Sequence, residues 1–325
     1  MYTKILFLIA LAAAATFPGL ALAQPAPFPS KHITFVVPWP PGGAADILSR
    51  VIGEQLGQRL GQAVVVVNKP GAGGLIGTEF AAKSSPDGYT LLLGSTGPNA
   101  IAPSLYRGLR YDALRDLTPV TQITELPLVM LVQKESPYIS VKDVLGAGKR
   151  GERLNFGSVG VGTAQHLTSE IFKARSNLEA LHIAYKGSAP AFAGLIGGEV
   201  SFVFDNIPAS QALIAGGRVR ALAISSKARS PVLADVPTMA EAGVLDFDVV
   251  AWQNILVPAG TPEAIVNRLN REIVQIINMP AMKERIAGMG ATVVGNTAAQ
   301  EKARLAFEVG QWKEAVDRAG VKLDY

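Results

Sequence analysis

Residues 64–67 are four consecutive valines, and a strand with no polar alternation is expected where helices cover both faces of a sheet. The flanking segments supply such helices. Residues 33–37 read as a β-rich strand, and 45–60 place Leu48, Val51, Ile52 and Leu56 on one helical stripe that stops at Gly61. Residues 75–83 form a shorter helix, Pro86-Asp87-Gly88 a turn, and 89–93 another buried strand. This βαβα order predicts an α/β fold built on a doubly wound parallel sheet.

The pattern then restarts. Strands are predicted at 127–132, 155–157, 183–185, 200–204 and 221–225, with helices at 141–146, 163–174, 189–196 and 207–215 between them. A strand at 252–257 follows. Two long helices come next, at 263–277 and 298–318, with a short strand at 292–294 between them. We read two α/β lobes: 25–126 together with 251–325, and 127–250. The chain would cross between them at 121–127 and again at 248–252; a single continuous sheet is the alternative.

The chain starts with Lys4, an apolar run at 5–15, a Pro18-Gly19 break and Ala21-Leu22-Ala23. These are the parts of a secretory signal peptide spanning 1–23, cleaved before Gln24. The run is too short and too interrupted for a bilayer span of roughly 20 residues. The sequence has no cysteine, which removes thiolate chemistry, disulfides and N-terminal lipidation, and suits a large exported protein. The formal net charge is +4, with no dense Lys/Arg block, so no nucleic-acid face is expected. The periplasm is the expected compartment.

Four strand-to-helix junctions carry the candidate chemistry. Residues 38–46 (PWPPGGAAD) place Trp39, Gly42, Gly43 and Ala44 before a helix whose free N–H groups suit a carboxylate or phosphate. Asp46 reads either as a charge stabilising the first helical turn or as a ligand contact. Residues 68–77 (NKPGAGGLIG) repeat the arrangement with Ala72, Gly73 and Gly74. A dinucleotide loop is excluded there, because Ile76 stands where G-x-G-x-x-G needs its last glycine and no acid follows the next strand.

The third junction, 157–166, adds the hydroxyls of Ser158 and Thr163 beside the glycines, and then His166. A nucleophilic serine is the sharper alternative here, but Phe156 occupies a glycine position of the G-x-S-x-G elbow. His166, in a first helical turn, reads as a neutral packing or hydrogen-bonding group rather than a base. The fourth, Phe202 to Asn206, ends a buried strand with Asp205, which either caps the following helix or meets an amino or hydroxyl group of a ligand. Three scattered histidines form no metal constellation, and no cofactor motif is present.

Taken in order, these segments resemble the Bug-type substrate-binding proteins of tripartite tricarboxylate transporters. The resemblance rests on Val37 to Gly43 with Asp46 and Arg50, Asn68 to Gly74 (Lys69 standing where arginine is usual), Pro86 to Leu91, and Gly157 to His166 with Leu167. It continues through Tyr185-Lys186-Gly187, Ala221 to Ala223, Val236-Pro237-Thr238 with Glu241-Ala242-Gly243, and Pro258 to Pro262. It implies a two-lobed clamshell that holds a small carboxylate in its cleft and presents it, as a monomer, to membrane permease subunits. It implies contacts from Trp39 to Ala44, Ala72 to Gly74 and Thr96 on the first lobe, and from Ser158, Thr163 and Asp205 on the second. The competing readings are a secreted serine hydrolase using Ser158 and His166, and a sensor module serving a membrane kinase.

Overall fold

The computed structural model describes residues 28–42 and 44–324. The proposed signal peptide at 1–23 and Gly43 lie outside the described residues, as does the side chain of Ala44.

The first lobe is built on β1 (Ile33–Val37), α1 (Ala44–Leu60), β2 (Val64–Asn68), α2 (Leu75–Ala82) and β3 (Thr90–Ser95). Strand β1 runs parallel to β2 on one side and β3 on the other. Its alternate side chains feed two cores. Phe35 and Val37 pack with Leu48, Ile52 and Leu56 of α1, whereas Val36 joins Leu92 and Ala81 on the opposite face. That is the both-faces burial of a parallel sheet. The valine run itself departs from it: β2 is the edge strand, and Val65 is 45 % exposed. Unbroken hydrophobicity therefore overstated the burial of that strand, whose outer face no helix covers.

A short α3 (Ala102–Leu105) and β4 (Tyr106–Arg107) lead into β5 (Leu117–Gln133), the element on which the architecture turns. The expected crossing at 121–127 is not a loop; it is the middle of this 17-residue strand. From Leu117 to Pro127 it pairs antiparallel with β10 (Val250–Pro258), which in turn pairs with β3. From Leu128 onward it pairs with β8 (Phe202–Asn206) and, from Val129, with β9 (Val219–Ile224). One strand thus belongs to both lobes. The polar residues Thr121, Gln122 and Thr124 hid it from sequence reading, although all three are buried. Asn296 meets part of this polarity from outside the strand: Thr121 Oγ1 donates to its carbonyl at 2.8 Å and Gln122 N to its Oδ1 at 2.8 Å, whereas the buried Gln122 Oε1 has no hydrogen-bond partner.

The second lobe adds α4 (Val141–Lys149), β6 (Leu154–Ser158), α5 (Ala164–Ser176), β7 (Ala180–Ala184), α6 (Ser188–Ile196) and α7 (Ile207–Ala215). Here β6 lies parallel between β7 and β8. The strands of both lobes are linked through β5 into one sheet, but each lobe keeps its own parallel set. We propose that the lobes divide at Pro127 and Val250, where β10 stops pairing and β8 starts. Ser225 Oγ locks this point, accepting from Leu128 N at 2.8 Å and donating to the Val249 carbonyl.

The C-terminal segment holds three helices rather than two: α8 (Glu263–Ile277), α9 (Pro280–Gly288) and α10 (Ala298–Ala319), with β11 (Thr292–Val293) before the last. Helix α10 packs on β5 and also on α5 of the second lobe, so it spans the crossing from behind.

Candidate functional site

Each glycine-rich junction is held by a specific device. In the first, the Asp46 carboxylate accepts from Gly42 N at 2.9 Å, from Arg50 Nε at 3.0 Å and from Asn68 Nδ2 at 2.8 Å. The Arg50 hydrogen bond, then the Gly42 amide, hold its pKa down at about 2. Asn68 also donates to the Trp39 carbonyl at 3.0 Å, so the loop before α1 is stapled to the end of β2. Asp46, at 2 % exposure, is fully used by this staple. Gly77 completes it: a Cβ there would sit 2.8 Å from both the Lys69 carbonyl and Pro38, so only glycine lets α2 press onto the loop.

In the second junction Ala72, Gly73 and Gly74 have φ of 46°, 64° and 96°. These residues form a tight left-handed turn closed by Gly74 N donating to the Gly71 carbonyl at 3.0 Å, with the backbone of Ala72 and Gly73 lining the cleft at its start. Glycine adopts this freely, whereas Ala72 does so at a steric cost, a kind of strain that clusters at ligand clamps. Beside it, Thr96 Oγ1 accepts from Trp252 N at 2.9 Å and ties the end of β3 to β10.

On the second lobe, Thr163 caps α5, its hydroxyl accepting from His166 N at 3.3 Å and donating to the Gly160 carbonyl at 2.8 Å. His166 is buried, and its Nδ1 accepts from Gly162 N at 3.1 Å. Its ring stacks on His182 with centroids 3.9 Å apart, and His182 stacks on Phe156 at 4.9 Å. Burial first, then the neighbouring His182 and Lys173, push the His166 pKa down to about 3; burial and Lys173 bring His182 to about 4. Both rings are neutral at pH 7. Asp205 is 1 % exposed, and its Oδ1 accepts from Asn206 N at 2.7 Å and from Gln165 Nε2 at 3.2 Å. Burial raises its pKa against the pull of hydrogen bonds from Ser188, the Asn206 amide and Gln165.

These junctions face a cleft of about 600 Å³. The first lobe lines it with Trp39, Ala72, Gly73, Thr96 and Leu105, and the second with Thr163, Gln165, Ser188 and Asn206. At the handover between lobes it is bounded by Leu126 of β5 and by Ala251 and Gln253 of β10, which share one face of the sheet. Across the opening Gly162 meets Leu105 so closely that a Cβ would fall 2.1 Å from Leu105 Cδ2.

Of the candidates from sequence, Trp39, Ala72, Gly73, Thr96 and Thr163 reach the lining. Gly42 serves the Asp46 staple, Ala44 opens α1, and buried Gly74 backs onto Trp39 and Pro98. Ser158, His166 and Asp205 stand one layer behind the wall, shaping the loops that form it. The residues that sequence reading missed are of two kinds. Leu105, Leu126 and Trp252 resemble core residues, and only the crossing of the strands brings them to the cleft. Gln165 and Asn206 each adjoin a residue already singled out.

The profile of the tripartite tricarboxylate transporter family receptor matches residues 48–321. The chain belongs to this receptor family. The receptor is 39 % identical to Protein BugT of Bordetella pertussis over 298 residues, covering 91 % of each chain. It resembles the structure of R. palustris Rpa4515 with adipate at 33 % identity and a TM-score of 0.78, covering 92 % of this chain and all of that one. It also resembles MatC from Rhodopseudomonas palustris with bound malate, at 30 % identity, a TM-score of 0.75 and coverage of 89 % of this chain and all of that one. The receptor is thus a solute-binding protein with the two-lobed periplasmic-binding fold, not an enzyme. The pairing of Ser158 with His166 is not formed: the buried Ser158 Oγ lies 2.7 Å from His182 Nε2, and His166 Nδ1 accepts from Gly162 N.

Proposed function

We propose that this receptor captures a small carboxylate in its inter-lobe cleft, in the periplasm after removal of residues 1–23, and delivers it as a monomer to the permease subunits of a tripartite tricarboxylate-type transporter. The observation that carries this reading is the left-handed run at Ala72–Gly74 beside the start of α1, which together offer backbone N–H donors to an anion. The relatives with adipate and malate support a carboxylate as that anion.

In this reading one carboxylate meets the amides around Trp39 to Ala45 and Ala72–Gly73, with Thr96 beneath. The far end of the ligand meets the start of α5 at Thr163 to Gln165, with Ser188 and Asn206. Ligand favours the closed lobes by the difference between its affinities for the closed and open forms. The test is thermal denaturation of ligand-stripped protein against organic, amino and aromatic acids. A true ligand at about 100 times its Kd adds roughly 2.7 kcal/mol of stability. Failure of every acid to raise Tm would end the carboxylate reading. Copurification of membrane subunits with the loaded receptor tests delivery.

A further inference from the structure

We infer that the cleft selects acids with an apolar body over compact acids that carry hydroxyl, amino or extra carboxylate groups; this rests on the carboxylate-receptor reading above. Much of the cleft lining is apolar. Leu126 lies at the strand crossing, Trp39 and Leu105 wall it from the first lobe, and Val159 and Val161 from the second. Leu105 is not free to turn away, because it is pinned against Gly162.

Among the described residues the lining carries no charged side chain. Charge on the ligand must therefore be met by backbone amides and helix starts, which offer about half a unit charge each. That suits a carboxylate at an end of the ligand. A third carboxylate would find no cation in the lining, and at the second lobe it would approach the buried Asp205 carboxyl. A hydroxyl or ammonium held against Leu126, Val159 and Val161 would lose water to side chains that return no hydrogen bond. A methylene there gains instead, by roughly four-fold in affinity for each one buried.

Calorimetric titration of ligand-stripped protein tests this with two sets of acids: adipate, hexanoate and benzoate against succinate, malate, glutamate and citrate. Adipate and succinate carry the same charges and differ by two methylenes, so their ratio isolates the apolar contribution at roughly fifteen-fold. The tightest acid of the first set should bind at least ten-fold more tightly than the tightest of the second. Leu126→Asn, or Leu126→Thr should the first variant not fold, should shrink that ratio several-fold while the protein still melts cooperatively. A smaller preference than ten-fold, or a ratio unmoved by substitution at Leu126, overturns the inference while leaving the receptor reading intact. Absence of binding by all seven acids overturns the receptor reading itself.

Discussion

The stacked pair His166 and His182 makes the second lobe sensitive to acid in a window that can be calculated. Their pKa values in the folded protein are about 3 and about 4, against about 6.5 for an imidazole in an unfolded chain. Both are depressed, so below pH 6.5 the unfolded chain takes up protons that the native state refuses. Stability is complete above pH 6.5 and is lost as pH falls toward the folded values. At pH 4.5, two units below the unfolded value, each ring costs about 2.7 kcal/mol. Both rings stay largely neutral in the native state at this pH, so the two costs add to about 5 kcal/mol, a large part of the 5–15 kcal/mol typical of a domain. The assay is urea unfolding at pH 7 and pH 4.5, comparing wild type with a His166→Asn/His182→Gln variant. These replacements keep an acceptor for Gly162 N and a partner for Ser158, but do not titrate. Wild type should lose about 5 kcal/mol more than the variant between the two pH values. Equal losses would refute the assignment of buried neutral rings. Because His166 Nδ1 holds the Gly162 amide, ligand affinity of the native protein should decline only as pH approaches about 3, where the folded ring itself takes up a proton.

Asp46→Asn removes the charge from the staple and leaves the Gly42 and Arg50 donors weakly paired. It should cost about 1–3 kcal/mol in chemical denaturation and weaken carboxylate binding through the freed Trp39 loop. In wild type the same depressed pKa makes this staple persist as pH falls, failing only between about 3.8 and about 2, well below the histidine window. Gly162→Ala forces a Cβ onto Leu105 at a residue with φ of 75°, at about 2–4 kcal/mol from backbone strain and overpacking together. Calorimetry should show weaker ligand binding, and small-angle scattering of the liganded protein should show a wider opening between the lobes.

Much of the fold was legible because local chemistry and tertiary role coincide there. Helix α7 and helix α8 begin and end where periodicity and the preceding loop place them, and the glycines at 71–74 announce a backbone that most residues resist. Legibility failed where partners distant in sequence decide the outcome. Strand β5 is polar at Thr121, Gln122 and Thr124, and becomes a buried strand beside Asn296 and Gln253, which hydrogen-bond Thr121 Oγ1, the Gln122 backbone N–H and Thr124 Oγ1. Residues 64–67 failed in the opposite sense, since four valines occur equally on an edge strand whose outer face stays bare. At the site, sequence picked the right loops more readily than the right atoms. Ser158 and Thr163 offer hydroxyls on paper, yet both hydroxyls are spent on Gly160 and the histidine layer.

The sequence by itself determined that this chain folds as paired α/β lobes with glycine-rich helix starts suited to an anion. Those properties live in short stretches: strand composition, helix periodicity and residues that tolerate positive φ. Only the tertiary structure decided what lies between the starts. The pairing of Leu126 with Ala251 at the cleft, the Leu105–Gly162 contact and the layer of Ser158, His166 and Asp205 behind the wall each join residues far apart in the chain. Their place depends on one 17-residue strand being shared by both lobes, and no local pattern in the sequence encodes that sharing.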